Sequence, residues 1–90
     1  MKIISTELLA QHGNCAVIRL LERRFPGVLI QGDSLSRLVE QMRSIHEQVR
    51  SLGKSELSED VGEVRELLES VLQHYELTLN AHEIDLPYTR

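Results

Sequence analysis

The sequence predicts an α+β fold: a small antiparallel meander of about three strands, then two amphipathic helices packed on one face of it. Three observations carry this. Short β-branched, apolar runs separated by turn residues occupy the first third of the chain. Apolar residues spaced by three and four occupy the rest. Ninety residues suffice for one domain with one core. The expected layout is a meander over 1–33, a helix over 34–52, a helix over 58–81 and a terminal strap over 82–90.

Met1 to Gln11 reads as a strand from Ile3, Ile4, Leu8 and Leu9, although the alternation is imperfect. A short helix from Thr6 to His12 competes with it. His12-Gly13-Asn14 is a turn signal, because Gly and Asn tolerate positive φ. Cys15 to Leu21 reads as the second strand, with Cys15 buried at its start. Glu22-Arg23-Arg24 forms a polar connection. Pro26 cannot donate to a ladder, so it belongs at a strand's start or edge. Gly27 then opens the run Val28 to Gln31, the third strand. Gly32-Asp33-Ser34 ends that strand, and Asp33 or Ser34 is the natural N-cap of the next helix.

The first helix places Leu35, Leu38, Val39, Met42, Ile45, Val49 and Leu52 on one face, with Gly53 ending it. Ser58 is the expected cap of the second helix, with Glu59, Asp60 and Glu63 near its positive end. Its stripe holds Val61, Val64, Leu67, Leu68, Val71, Leu72, Tyr75 and Leu79. Ile84, Leu86 and Tyr88 alternate in the tail, as in an extended segment packing back on the helix pair.

The charge is asymmetric. Up to Lys54 there are eight Lys and Arg against five Asp and Glu; from Ser55 onward there are two against nine. The acidic helix suits a basic protein partner, through Glu59, Glu63, Glu66, Glu69 and Glu76. It argues against nucleic acid, which favours a positive surface. Arg19, Arg23 and Arg24 cluster at the strand connection, where they serve either an acidic group or a solvated turn. No apolar run approaches a membrane span, and no secretory signal is evident. A lone cysteine, Cys15, fits the cytoplasm.

Gly32-Asp33-Ser34-Leu35-Ser36 resembles the first block of the GDSL-type esterases, whose Ser is an acyl nucleophile. Those enzymes are about twice this length and use a C-terminal Asp-x-x-His, whereas Asp85 here is followed by Leu86, Pro87 and Tyr88. His12 and Cys15 have only two residues between them, but no second pair is spaced to match, and His74 and His82 lie eight apart on one helix, too far to share an ion. No catalytic set, metal or cofactor is expected.

The segment from Phe25-Pro26-Gly27 through Val28 to Gln31 and Gly32-Asp33-Ser34-Leu35, followed by a helix, resembles the HicB-type antitoxin core. The likeness covers residues 15 to about 50. It implies a strand, a Gln-Gly-Asp-Ser turn and a helix, and a protein that neutralises a partner. HicB-type antitoxins commonly carry a DNA-binding element after this core, where this sequence has an acidic helix. The whole chain is also similar to a group of small bacterial proteins of unknown function. They share the segments here numbered 23–27, 31–35, 74–76 and 86–88. The expectation is a non-enzymatic protein-binding module, antitoxin- or immunity-like, with a structural homodimer as the alternative.

Overall fold

The computed structural model describes residues 2–89. It contains three strands, β1 (Glu7–His12), β2 (Cys15–Arg19) and β3 (Gly27–Ile30), then two helices, α1 (Gly32–Ser51) and α2 (Ser55–Ala81). The strands form an antiparallel sheet in the order β1-β2-β3. Strand, not helix, therefore forms from Glu7, and residues 2–6 stay outside regular structure. Met1 lies outside the described residues.

Gly13, at φ 57, makes the β1–β2 turn possible. Its two-residue loop pairs His12 with Cys15. The register shifts between Leu8 and Ala10, which marks a bulge at Leu9. β2 ends at Arg19, earlier than its apolar run suggests, because the chain turns through Glu22 at φ 68.

Both helices start earlier than expected. α1 has Gln31, not Asp33 or Ser34, as its N-cap, without a side-chain capping bond. Gln31 alone links β3 to α1. Its N–H donates to the Asn14 carbonyl at 3.1 Å, which leaves no room for a separate capping loop. Asp33 Oδ1 instead accepts the Ser34 N–H inside the first turn, at 2.9 Å. Ser58 does not cap α2 either: its N–H donates to the Lys54 carbonyl at 2.9 Å, one turn into the helix.

The C-terminal ends are better defined. Gly53, at φ 71, follows the Leu52 C-cap of α1 and donates to the Arg50 carbonyl. Past the His82 C-cap of α2, Ile84 N–H reaches the Leu79 carbonyl and Glu83 N–H reaches that of Asn80. This is a Schellman closure. Its left-handed position holds Glu83, at φ 56, where glycine is usual.

The helices pack on each other, and the strands pair with each other. The two layers scarcely touch. Among the described residues the buried apolar side chains are Leu35, Val39 (0% exposed) and Leu72 (2%), with Leu68, Tyr75 and Tyr88 half-buried around them. Where a stacked arrangement would lay both helices over the sheet, most of the sheet remains open. Direct pairs such as Ala16–Leu29 and Val17–Val28 alternate in side, so apolar residues occur on both faces of the sheet. The helix pair covers little of either face, and Cys15 is exposed rather than buried. Of the tail, Leu86 and Tyr88 are half-buried and Ile84 is exposed, so the strap is held at its far end.

One contact ties the junction to α2. Gly32 is buried directly beneath the Tyr75 ring, and any Cβ there would overlap the ring. Gly32→Ala should therefore lower stability by about 1–3 kcal/mol, as for an overpacked core site. Glu83→Gly should raise it by about 0.5–1 kcal/mol by relieving the left-handed residue. Denaturant unfolding of both variants checks the two signs.

Candidate functional site

The most distinctive surface follows from the gap between the layers. The C-terminal half of α2 faces β2 and β3 across an open groove of about 550 Å³. Ile18, Leu20 and Leu29 line one wall, and Val71, Tyr75 and Leu79 the other. Its lining contains no Lys, Arg, Asp or Glu. Val28 (62% exposed), Leu29 and Ile30 continue the apolar surface onto the sheet, and Phe25 stands out nearby.

The groove's α2 wall has a cause in the helix pattern. At 100° per residue the apolar positions of α2 span an arc of about 140°. One flank, including Leu68 and Leu72, meets α1. The other flank, Val64, Leu67 and Val71, is exposed, and of these Val71 lines the groove together with Tyr75 and Leu79. Eight apolar positions exceed what one partner helix covers, and that excess was the available signal.

The expected charged residues divide into those used internally and those left free. Arg19 Nε donates to Glu7 Oε2 at 3.2 Å, and its Nη1 to the Arg24 carbonyl at 3.2 Å. Arg24 lies over the Phe25 ring, 5.3 Å from its centroid. Arg23 remains exposed beside them. Arg19 and Arg24 thus brace the β2–β3 connection. Pro26 lies exposed at its end, and Gly27 begins β3 opposite Ile18.

On α2, Glu69 is the centre of a network across the helix seam. Its Oε1 accepts from Arg65 Nε at 2.7 Å and from Arg43 Nε at 3.0 Å. Arg65 also reaches Glu47 at 3.7 Å and His46 Nδ1 at 3.0 Å. Arginine only donates, so His46 Nδ1 is the acceptor of this bond. Gly62 gives the His46 ring its space. Glu76 Oε2 accepts the Tyr88 hydroxyl at 2.8 Å, which pins the strap. Glu69 and Glu76 are therefore structural. Glu59, Glu63 and Glu66 stay exposed and, with His46, border a shallow hollow of about 360 Å³.

Ser34 sits in the first turn of α1, its hydroxyl accepting from Asn14 Nδ2 at 3.3 Å. No hydrogen bond among the described residues joins it to a histidine. Among those residues no group of three or more His, Cys, Asp or Glu is placed to hold a metal ion. No described helix is long and apolar enough to cross a membrane.

Fold and surface together define a small α+β protein with an incomplete core and an open apolar groove. The chain belongs to a family of unknown function, DUF6959, whose match spans residues 1–88. No curated protein and no solved structure matches it.

The Arg65 and Arg43 hydrogen bonds hold the Glu69 carboxyl below its ordinary value of 4.5. A carboxyl lowered by folding stabilises the protein above its unfolded pKa, and that stability is lost as pH falls through the folded value. Stability should thus decline on acidification below about pH 4.5. Glu69→Gln should flatten part of that decline while lowering stability at neutral pH. Urea midpoints measured from pH 7 downward check both effects.

Proposed function

We propose that this chain is a non-enzymatic protein-binding module of the antitoxin or immunity type. It acts by burying the open face of its sheet and groove against another protein. The observation that carries this reading is the uncovered apolar surface. The chain exposes 7543 Å². A compact monomer of this mass exposes about 5,400 Å². Its radius of gyration is 16.1 Å, against about 12 Å for a compact chain of this length. Within that open shape Phe25, Val28, Leu29 and Ile30 are exposed beside the apolar groove, and adjoining exposed apolar residues mark an interaction site.

The likeness of residues 15–50 to the HicB-type antitoxin core supports the neutraliser class. The free carboxylates Glu59, Glu63 and Glu66 favour a basic partner and would speed its approach. The cytoplasm is the compartment in keeping with a lone free thiol. A structural homodimer is the second reading, favoured by the bare outer edge of β3.

Purification of the tagged chain from its native cells at physiological salt should yield one basic protein at a stoichiometric ratio. Glu59→Gln, Glu63→Gln and Glu66→Gln combined should weaken that complex about tenfold, the sum of three exposed charge contacts. Recovery of the chain with no stoichiometric foreign protein would remove the neutraliser reading.

A further inference from the structure

We infer that the free edge of β3 and the adjoining groove are closed by a second copy of this chain. The two β3 strands then run antiparallel across a two-fold axis. The inference rests on the second reading above, the homodimer, and names the surface through which the two copies meet.

The two edges of the sheet are built differently. β1 carries Glu7 and His12 and is bent by the bulge at Leu9. Charges and bulges are the usual devices that keep an edge from pairing. β3 is Gly27-Val28-Leu29-Ile30, with neither charge nor bulge. Among the described residues no other segment bonds to its outer backbone.

A two-fold axis sets a strand antiparallel to its own copy, so β3 satisfies its own ladder without any special sequence. Val28 and Leu29 then oppose apolar residues of the partner strand, a favourable cross-strand pairing.

Area points the same way. The exposed 7543 Å² exceeds the compact expectation by about 2,000 Å². Standard interfaces bury about 800 Å² per chain, and obligate dimers bury more. The excess is large enough to supply an interface of that size. Among the described residues three apolar side chains are buried, a very small core for 90 residues, the condition under which small domains rely on oligomerisation.

Charge does not oppose the pairing. The net charge is −4, but the groove lining holds no carboxylate. Glu59, Glu63 and Glu66 lie toward the other end of α2, about 18 Å along the helix between residues 63 and 75. Like charges therefore stay outside the contact.

The test is made on the whole chain. Sedimentation equilibrium should show two chains per particle. Val28→Lys should raise the dissociation constant at least ~30-fold, the effect of losing a central interface contact. Leu8→Lys, on the protected β1 edge, should leave it unchanged. Far-UV circular dichroism of Val28→Lys should match the parent, because Val28 is already exposed. In a Cys15→Ser background, Cys placed singly at positions 27 to 30 should form an interchain disulfide at the position nearest the axis. Cys at Leu8 should not.

A dimer that survives Val28→Lys and gives no crosslink along β3 overturns the inference. So does a parent chain that stays monomeric at every concentration. If that monomer carries a stoichiometric foreign protein in its native cells, the module reading stands and only the second copy is lost. A monomer with no partner of any kind removes both.

Discussion

The geometry of this protein depends on how one residue, Gln31, hands the chain from sheet to helix. Gln31 is the whole connection between β3 and α1. Its N–H is taken by the Asn14 carbonyl, and the Asn14 amide reaches the Ser34 hydroxyl. The hairpin turn thus clamps the junction from one side. Tyr75 clamps it from the other by lying on Gly32. These contacts fix the angle at which the sheet stands away from the helix pair, and the groove is the space that angle leaves.

The helix pair is held by two different means. Near the junction, Leu35, Val39 and Leu72 exclude water and Tyr88 packs against them. Farther along, Arg43, Glu69, Arg65, Glu47 and His46 replace apolar contact with charge-assisted hydrogen bonds. Partly exposed pairs of this kind contribute little each, about 0–1 kcal/mol. They fix register more than they add stability. The molecule therefore concentrates its apolar packing at one end and leaves its remaining oily residues on the surface.

Much of the architecture was legible in the sequence. The order of elements, the hairpin at Gly13, the end of α1 at Gly53 and the packed Tyr88 follow from turn chemistry and periodicity, which act locally. The N-caps were misplaced because Asp33, Ser34 and Ser58 have capping side chains, while backbone bonds from Gln31 and Ser58 decided the starts. The groove was hidden for a different reason. Periodicity says which residues share a face and is silent on what covers that face. Val64, Leu67 and Val71 continue a helical stripe as well as Leu72 does, yet only Leu72 is buried. Likewise Glu69 and Glu76 resemble Glu63 in sequence and differ only in having Arg65, Arg43 and Tyr88 within reach.

The Asn14 clamp has a consequence for how the molecule opens. Few interactions cross from sheet to helices, so the sheet can detach as a unit while α1 and α2 remain paired. Free energies of local opening follow the contacts that must break. Backbone amides of β2 and β3 would then exchange with solvent by a low-energy, partial opening. Those around Val39 and Leu72 would wait for the whole chain to unfold. The bonds from Asn14 to Gln31 and Ser34 are among the few that such an opening must break.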